Sequence, residues 1–556
     1  MNPVKVITVE KSRELERAAD EGGLSFAQMM ENAGRGTARA IEQVLSPRER
    51  RVVVLVGPGN NGGDGLVAAH YLAQMGARVT CYLWKREAEG DANLERVQAG
   101  GVPVIWAEDD GDDEALRGLL AGADVVVDAL LGVGASLPLR DSLRSLLEAV
   151  GSGLRERRGP AGLAHALPGA RLRAVPLVVA VDCPTGLDSD TGEVDPATLR
   201  ADVTVTFAYP KVGLLRFPGA GLVGRIVVAD IGIPPELAAG VTLEMATAEA
   251  VGGWLPERPA LSHKGTFGRV LVVAGSVNYV GAAALAGSGA QRVGAGLVTM
   301  ALPGPIQAAV AANLAEATFL LLPHDMGVVS SGAVQVVRER MGEYDALLLG
   351  PGLSQEDETV AFVQAFLGLH RRERRGRLGF VDRTEAEGEE RPAPPPLIVD
   401  ADGLNALART DGWSQALPPG TILTPHPGEM ARLVGGDVTT AEIQADRDGT
   451  ARRMAQEWGA VIVLKGALTV VAAPDGRVMI VPFANSGLAT AGTGDVLAGA
   501  IAGLRAQGLD AFEAAVAGAY VHGLAGELAR DELGEMGMVA GDLPLRLPLA
   551  LRRVRS

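Results

Sequence analysis

Four consecutive residues near the end of the chain, Gly492-Thr493-Gly494-Asp495, have the types and spacing needed for phosphoryl transfer. Glycines at the start of a helix let several backbone N–H groups approach one phosphate, whose charge these groups and the helix dipole stabilise. Asp495 in the first helical turn stays ionised and can take the proton from an attacking hydroxyl. No Gly-Lys-Ser or Gly-Lys-Thr follows, so the segment is not a Walker P-loop. The pattern predicts the catalytic centre of a nucleotide-dependent, kinase-like domain.

A second glycine-rich segment lies between the β-branched run Val52–Val56 and a helical pattern from Leu66 to Met75. It contains Asn60-Asn61-Gly62-Gly63-Asp64. A glycine-rich turn between a strand and a helix lets the backbone approach an anion. A tight turn without a ligand accounts for some of the glycines, but not for the paired asparagines and the aspartate. We therefore predict a nucleotide-binding site here.

Polar residues follow two further strands of the N-terminal half, as Asp128 and as Asp182 with Thr185. The carboxyl ends of parallel strands meet in one crevice, so these residues are expected to lie near Asn61. Asn61, Asp128 and Thr185 offer only oxygen ligands, a set that suits a hard cation of low charge. The structural alternative for Asp128 is a cap on the turn that follows it.

The C-terminal half repeats this arrangement with Gly350-Pro351-Gly352, Val399-Asp400-Ala401-Asp402 and Thr424-Pro425-His426-Pro427-Gly428-Glu429. His426 lies between two prolines, so we expect it on a stiff loop and not inside a helix. Beside the adjoining motifs, a binding role for it is favoured over a structural one. The small residues from Gly281 to Gly296 are attributed mainly to close helix packing, whereas the loop at Tyr279–Ala282 is a candidate ligand contact.

These loops require sheets that bring strand ends together. Short apolar runs alternate with helical patterns along the chain, which is typical of parallel sheets covered by helices on both faces. Prolines between Ile231 and Pro259 interrupt the alternation. We predict an α/β chain of two domains, 1–240 and 241–556. The expected strands are 52–56, 124–127, 178–181, 270–273, 346–349, 397–399 and 461–464.

Two segments resemble exposed insertions. One is 151–174, which is rich in Gly and Arg, and the other is 370–396, where arginines are followed by glutamates and prolines. A solvated loop is favoured over a basic partner-binding arm for the second segment, because acidic residues follow the basic ones at once.

Composition excludes several classes of protein. The 556 residues are 47% hydrophobic and 21% charged, the balance of a globular chain with more than one domain. A net charge of -16 argues against nucleic acid or an anionic membrane as a partner. Cys81 and Cys183 fit neither a disulfide framework nor a zinc site, and no signal peptide or membrane-spanning run is evident. We expect a cytoplasmic protein.

The N-terminal motifs resemble those of the NAD(P)H-hydrate epimerase family. The resemblance covers residues 1–235 and is carried by Asn60-Asn61-Gly62-Gly63-Asp64-Gly65, Val181-Asp182-Cys183-Pro184-Thr185-Gly186 and Thr206-Phe207-Ala208-Tyr209-Pro210-Lys211. It implies a Rossmann-like, three-layer domain that interconverts the R and S epimers of NAD(P)H hydrated at C6 of the nicotinamide ring. It also implies a potassium ion held by Asn61, Asp128 and Thr185.

The same resemblance implies the roles of further residues. Asp182 would face the nicotinamide ring as general acid or base, aided by Lys211, for which a surface lysine is the alternative. Cys183 is expected only to pack. The hydrate would be held by Asn60, Asn61, Gly62, Gly63, Asp64, Gly132, Val133, Gly134, Ala135, Ser136, Leu137, Pro138 and Asp182.

The C-terminal motifs resemble the NAD(P)H-hydrate dehydratase family, whose domain is ribokinase-like. The resemblance covers roughly residues 250–550, through Lys264-Gly265-Thr266-Phe267-Gly268, the segment around His426, Lys465-Gly466-Ala467 and Gly492–Asp495. It implies phosphorylation of the C6 hydroxyl of the S hydrate at the expense of ADP or ATP, with magnesium, followed by loss of phosphate. Asp495 would take the hydroxyl proton. The hydrate would contact Ala282, Gly352, His426 and Asp495, and the nucleotide would contact Lys465, Gly466, Ala467, Leu468, Thr469, Gly492, Thr493 and Gly494.

The expected partners are therefore hydrated NADH and NADPH together with ADP or ATP, and we expect a symmetric homo-oligomer. The residues leave the choice between ADP and ATP open. The alternative function is a ribokinase-like kinase of a small vitamin alcohol, in which the N-terminal half is a non-catalytic nucleotide-binding module.

Overall fold

A computed structural model describes residues 3–134, 137–158, 176–369 and 394–556. The chain forms two compact units, Val4–Val241 and Thr242–Ser556. Ala135 and Ser136, most of 151–174 and nearly all of 370–396 lie outside the described residues.

The N-terminal unit contains eight strands and six helices in its described part. The strands are β1 (Val4–Lys5), β2 (Arg51–Val56), β3 (Arg78–Leu83), β4 (Val104–Trp106), β5 (Val125–Ala129), β6 (Leu177–Val181), β7 (Val203–Phe207) and β8 (Arg225–Ala229). The helices are α1 (Val9–Glu21), α2 (Phe26–Val44), α3 (Asn60–Gln74), α4 (Ala92–Ala99), α5 (Glu114–Gly122) and α6 (Asp141–Arg158).

Seven of these strands form a parallel sheet in the order β4-β3-β2-β5-β6-β7-β8. The side chains of β2 alternate between its faces, so that Val54 joins one buried cluster with α2 and α3, and Leu55 joins another with α5 and α6. Both faces are therefore covered. The strand order reverses between β2 and β5, and in open parallel sheets the ligand crevice lies at the carboxyl ends of the strands at such a point.

The C-terminal unit contains twelve strands and twelve helices in its described part. The strands are β9 (Leu243–Met245), β10 (Arg269–Val273), β11 (Leu297–Pro303), β12 (Thr318–Leu322), β13 (His324–Asp325), β14 (Val328–Val329), β15 (Ala346–Leu349), β16 (Leu397–Val399), β17 (Ile422–Leu423), β18 (Val461–Leu464), β19 (Val470–Ala472) and β20 (Val478–Ile480). The helices are α7 (Ala248–Trp254), α8 (Val280–Arg292), α9 (Gln307–Ala311), α10 (Ala333–Arg340), α11 (Asp357–Leu367), α12 (Asp402–Ala408), α13 (Pro427–Val434), α14 (Thr440–Ala445), α15 (Arg447–Trp458), α16 (Thr493–Ala506), α17 (Ala511–Leu533) and α18 (Asp542–Arg555).

The main sheet of this unit has the order β9-β20-β19-β18-β17-β16-β15-β10-β11-β12. Its pairs are parallel except where β19 meets β18 and β20. Helices α8 and α16 lie so close together that a Cβ on Gly499 would be 2.0 Å from the carbonyl oxygen of Ala286, and one on Gly289 would be 2.3 Å from that of Val496. The prediction of close helix packing is thus confirmed for Gly289, whereas a Cβ on Gly281 would meet no atom within 4 Å.

The predicted α/β class with two mainly parallel sheets is confirmed. All seven expected strands are present, with ends displaced by at most two residues. Helix α3, however, begins at Asn60 and not at Leu66. A Cβ on Gly62 would be 2.0 Å from the carbonyl oxygen of Gly57, and one on Gly65 would be 2.4 Å from the Ala129 Cβ. Tight packing, not intrinsic helix propensity, therefore fixes the start of this helix.

The prediction that 151–174 is wholly an exposed insertion is wrong for its first part. Residues 151–158 continue helix α6. Leu147, Val150 and Leu154 are at helical spacing and are buried in the core beneath the helix.

Within the described residues, no helix is long and apolar enough to cross a membrane.

Candidate active sites

The first candidate site lies at the carboxyl ends of β2, β5, β6 and β7. The strand-to-helix turn after β2 is pressed against the loop after β5, because the N–H of Gly57 donates to the carbonyl oxygen of Ala129 at 3.1 Å. A Cβ on Gly57 would be 1.7 Å from the carbonyl oxygen of Leu130, so only glycine fits. Arg86 stabilises the same turn by donating to the carbonyl oxygens of Gly57 (2.8 Å) and Gly59 (3.1 Å).

Residues 60–64 form the start of α3. The first backbone N–H groups of a helix have no partner within it, so those of α3 are free to donate to a ligand in this crevice. Asn61 is buried, and within the described part of the chain its Nδ2 has no hydrogen-bond partner. Its Oδ1 would be 3.1 Å from a Cβ on Gly132. The structure thus brings Asn61 and Gly132 together, with one amide nitrogen still able to donate.

The residues around Gly132 differ in their surroundings. Val133 is half-buried, and Gly134 is exposed beside Arg13 of α1. Leu137 packs against the buried cluster beneath α5 and α6, so its side chain has a packing role. Pro138 is exposed.

Asp128 and Thr185 are in direct contact, as the sequence predicts for neighbouring strand ends. Thr185 Oγ1 donates to Asp128 Oδ1 at 2.6 Å, and the Thr185 N–H donates to Oδ2 at 2.9 Å. The third donor is the N–H of Leu130, at 3.3 Å. Burial raises the pKa of Asp128, although these hydrogen bonds oppose the shift. The bond from Leu130 is the cap on the following turn that the sequence offers as the alternative, and the two bonds from Thr185 are additional to it.

Asp182 and Lys211 form a buried ion pair. Lys211 Nζ is 2.6 Å from Asp182 Oδ1 and 3.2 Å from the carbonyl oxygen of Phe207. Lys211 is only 1% exposed, so the alternative of a surface lysine is wrong. Asp182 has a positive φ of 64°, a strained conformation for a residue with a side chain.

Two more carboxylates, Asp64 and Glu16, interact electrostatically with Asp182 and Lys211. Burial raises the pKa of Asp64 well above its usual value, and Asp182 and Glu16 raise it further. Burial likewise raises the pKa of Glu16, against hydrogen bonding from Ser12 and attraction by Lys211. Glu16 and Arg86 carry no functional signal in the sequence, because both lie outside glycine-rich loops and reach the crevice only through the tertiary fold.

The second candidate site is built around Lys465, the first residue after β18. Its Nζ is 2.6 Å from Asp400 Oδ1 and 3.6 Å from Glu429 Oε2. Thr424 Oγ1 also donates to Asp400 Oδ1, at 2.6 Å. Burial disfavours the Lys465 ammonium, but attraction by Asp400 and Glu429 outweighs it and raises the pKa of Lys465. The lysine is therefore charged at neutral pH.

Asp495 lies in the first turn of α16, as predicted. A Cβ on Gly494 would be 3.6 Å from Lys465 Nζ, so the lysine lies beside the start of this helix. Burial and repulsion by Asp400, Asp402 and Glu429 raise the pKa of Asp495 to about 7, despite the opposing effect of Lys465. The expectation that Asp495 stays ionised is therefore wrong at neutral pH, because burial and the neighbouring carboxylates outweigh the helix dipole. Asp495 can instead exchange a proton near neutral pH.

The start of α16 is held in place from two sides. Thr493 Oγ1 donates to the carbonyl oxygen of Leu488 at 2.9 Å, and His522 Nε2 donates to that of Thr493 at 2.9 Å. Burial lowers the pKa of His522 to about 4, so this histidine is neutral. Gly492 has a positive φ of 92°, which turns the chain into the helix.

His426 is the N-cap of α13, outside the helix as expected. Its Nδ1 accepts from the N–H groups of Gly428 (3.0 Å) and Glu429 (3.2 Å), so the ring proton is on Nε2. Burial, Lys465 and Arg432 lower the pKa of His426. The histidine is thus a neutral group whose half-exposed ring can donate from Nε2.

The other predicted residues form two further groups. Ala282 and Gly352 are neighbours, because a Cβ on Gly352 would be 2.7 Å from that of Ala282. Residues 465–469 form a turn, which is closed by a hydrogen bond from Thr469 Oγ1 to the carbonyl oxygen of Gly466 at 2.9 Å. Arg447 supports this turn from α15 through the carbonyl oxygen of Leu464, at 2.9 Å. In this turn, Leu468 is buried.

Asp400 and Glu429 contact Lys465 but were not predicted as functional residues. Both belong to motifs that the sequence indicates as candidate loops of this site. Their convergence depends on the adjacency of β16, β17 and β18, which a single sequence does not reveal.

Both halves of the chain match known families. The family described as NAD(P)H-hydrate dehydratase matches residues 270–548, and that described as YjeF-related protein N-terminus matches 26–213. The chain is 40% identical over 565 residues to the bifunctional NAD(P)H-hydrate repair enzyme of Moorella thermoacetica, covering 99% of this chain and 97% of that one. It is 32% identical over 538 residues to the enzyme of that name from Escherichia coli, covering 95% and 90%.

Among solved structures, the ADP/ATP-dependent NAD(P)H-hydrate dehydratase from Bacillus subtilis, co-crystallised with ATP and Mg²⁺, is 34% identical. It covers 56% of this chain and 98% of its own, with a TM-score of 0.45. The relatives match the two halves together, so a vitamin-alcohol kinase with a non-catalytic N-terminal module is not favoured. The chain belongs to the family of bifunctional NAD(P)H-hydrate repair enzymes.

Proposed function

We propose that this chain repairs hydrated NADH and NADPH in two steps. The N-terminal unit interconverts the R and S epimers at C6, and the C-terminal unit returns the S hydrate to NAD(P)H at the expense of ADP or ATP. The observation that carries the proposal is the cluster of the buried Asp400 with the half-buried Lys465 and Asp495, beside the N-terminus of α16. It combines a proton acceptor with a cation and helix N–H groups, which suit phosphoryl transfer.

In the dehydratase step, Asp495 takes the proton of the C6 hydroxyl, and the hydroxyl oxygen attacks the terminal phosphorus of the nucleotide. The bond from that phosphorus to the bridging oxygen breaks, so that AMP leaves from ADP, or ADP from ATP. The N–H groups at Gly492–Gly494 and the Lys465 ammonium stabilise the charge on the transferring group. Phosphate then leaves with the C6–O bonding electrons, and the neighbouring ring carbon loses the proton that hydration placed there. The ring double bond is restored, because phosphate is a far better leaving group than hydroxide.

The remaining predicted residues would bind the two substrates. Ala282, Gly352 and the Nε2 of His426 would contact the hydrate, and Lys465–Thr469 would contact the nucleotide. Magnesium would accompany the nucleotide phosphates and offset their charge. The fit is supported by three carboxylates that act on the Lys465 ammonium, the buried Asp400 and Glu429 and the half-buried Asp495.

In the epimerase step, Asp182 would move a proton to or from the hydrated nicotinamide, and Lys211 would orient it. Asn60–Asp64 and Gly132–Pro138 would hold the hydrate. A potassium ion would be held by Asn61, Asp128 and Thr185, where it would supply a fixed positive charge. The buried Asp128 carboxylate with its neutral donors supports this assignment.

We assign the epimerase to residues 1–240 and the dehydratase to 241–556. We also propose a homo-oligomer, supported by the exposed side chains of Leu545 and Leu549 on α18, which light scattering of the purified protein would test. A cytoplasmic location is supported by Cys81 and Cys183, which are free and buried.

The proposal is tested by supplying purified R or S hydrate of NADH with ADP or ATP and following the recovery of reduced-nicotinamide absorbance. Both hydrates are expected to be repaired. Repair of the S hydrate alone would contradict the epimerase assignment. Phosphorylation without recovery of absorbance would contradict the dehydratase assignment.

A further inference from the structure

Asp400 contacts the side chains that surround the phosphoryl-transfer site, yet it is placed too deep to receive a substrate. It is 1% exposed. Its Oδ1 lies 2.6 Å from both Lys465 Nζ and Thr424 Oγ1. The ammonium therefore has one short, charge-assisted bond that fixes its position.

The backbone around Asp400 is also fixed. A Cβ on Gly350 would be 1.9 Å from the carbonyl oxygen of Asp400. The two residues follow β15 and β16 directly, so the backbones after these strands are in close contact. The next residue, Ala401, has φ 50° and ψ -116°, a conformation that costs energy for a residue with a Cβ. Strained residues persist where the surrounding fold requires one orientation, and Ala401 lies between Asp400 and Asp402, the first residue of α12.

We propose that Asp400 is a positioning residue for phosphoryl transfer: it holds the Lys465 ammonium beside Gly494, where the ammonium faces the transferring phosphate. The proposal deepens the dehydratase function proposed above and rests on it. Without Asp400, the flexible lysine side chain would be drawn to Glu429, 3.6 Å away, or to Asp495. The charge would then be displaced from the place where the transition state needs it.

The test compares Asp400→Asn, which keeps the shape and removes the charge, with Asp345→Asn. Asp345 is an exposed carboxylate at the opposite, amino end of β15, where it accepts from the N–H of Arg269 at 2.8 Å. For Asp400→Asn we expect kcat for S-hydrate repair to fall on the order of a hundredfold, with little change in the KM of the hydrate. Asp345→Asn should match the wild type.

A second readout does not depend on turnover. The charged groups that face Asp495 are Asp400, Asp402, Glu429 and Lys465, and the nearby His522 is neutral. Removing the negative charge at 400 removes a repulsion, so the Asp495 pKa should fall. A ¹³C NMR titration of the aspartate carboxyls, with Asp495 assigned by its loss in Asp495→Asn, measures this shift. If wild-type protein repaired no hydrate, the proposed function would fail, whereas the titration would still test the Asp400–Lys465 arrangement.

Thr424 provides a further test if Asp400→Asn does not fold. Thr424→Val removes the hydroxyl that donates to Asp400, and Thr424→Ser keeps it. We expect a lower kcat for the valine variant and recovery in the serine variant. Wild-type kcat with an unshifted Asp495 pKa in Asp400→Asn would overturn the proposal. Equal loss in both threonine variants, parallel to their loss of thermal stability, would also overturn it.

Discussion

Lys211 Nζ lies 2.6 Å from Asp182 Oδ1, and the two side chains are only 2% and 10% exposed. Each charge is stable in the core because the other is present. A buried charge that loses its partner carries its full desolvation cost, which is much larger than the net stabilisation from the pair. The pair therefore links the stability of the N-terminal unit to the geometry of its site.

Replacing Lys211 by Met should stop repair of the R hydrate and leave repair of the S hydrate intact. The unpaired Asp182 should also lower the free energy of unfolding by about 3–5 kcal/mol, or force Asp182 to bind a proton. Urea denaturation of the epimerase unit and epimer-specific repair assays measure the two effects.

Arg78→Met is the matched control, because Arg78 pairs with Glu49 on the surface, where both side chains are about two-thirds exposed. An exposed pair contributes less than about 1 kcal/mol, so this variant should be nearly as stable as the wild type. If Lys211→Met epimerised at the wild-type rate, Lys211 would have no part in the reaction.

The contact between Thr185 and Asp128 yields a prediction about potassium. Thr185→Val keeps the shape of the side chain but removes the hydroxyl that donates to Asp128. We expect R-hydrate repair by this variant to require a higher potassium concentration than that by the wild type. Thr185→Ser should behave as the wild type. Titration with potassium at constant ionic strength, with sodium as the replacement, measures the difference. Equal potassium curves for the valine variant and wild type would remove Thr185 from the proposed site.

The sequence predicts the strands well because each is a short apolar run bounded by loop residues. Parallel strands also place their carboxyl ends at one edge, so the contact of Asp128 with Thr185 follows from general topology. The order of the strands does not follow from a single sequence. Lys465 and Asp400 are 65 residues apart, and their contact arises only because β16, β17 and β18 are adjacent.

Burial was harder to predict than strand position. Lys211 follows a proline after a strand, which is compatible with a surface lysine, yet the parallel bridge between Ile7 and Lys211 covers it. The glycines at the start of α3 indicated a loop because glycine is a poor helix former. Their close contacts with Gly57 and Ala129 nevertheless place them in the helix. In both cases, distant tertiary contacts outweighed the local signal.

Gly494 provides a variant that should lose activity without losing stability. Unlike Gly492, it is not in the left-handed region, and a Cβ would meet nothing closer than Lys465 Nζ at 3.6 Å. Gly494→Ala should therefore fold normally, because alanine is favoured over glycine within a helix by about 0.5–1 kcal/mol. The added methyl group would occupy the space proposed for the phosphate and should lower kcat for S-hydrate repair.

Gly118→Ala is the control for that variant, since Gly118 lies within α5 and a Cβ there would meet no atom within 4 Å. Both alanine variants should have Tm values at least equal to that of the wild type. Only Gly494→Ala should lose dehydratase activity. Wild-type activity in Gly494→Ala would show that phosphate does not bind closely at this position.

The pKa of Asp495 predicts how both activity and stability change with pH. A base with a pKa of about 7 is increasingly protonated below that pH, so kcat/KM for the S hydrate should fall tenfold per pH unit there. The pKa is raised on folding, which means that the folded state favours the protonated carboxyl. Asp495 therefore contributes most to the free energy of unfolding below pH 3.8, which is its pKa in the unfolded state. This contribution is lost as the pH rises to about 7, its pKa in the folded state.

Asp495→Asn should therefore abolish repair while making the C-terminal unit more stable than the wild type at pH 8. The amide avoids the cost of an ionised carboxylate buried beside Asp400, Asp402 and Glu429. At pH 4 the two proteins should differ little, because the wild-type carboxyl is then protonated in the folded state. Denaturation at both pH values measures the difference, with nucleotide binding as a check that the site is intact. A variant less stable than the wild type at pH 8 would contradict the raised pKa, and full turnover would remove Asp495 from the mechanism.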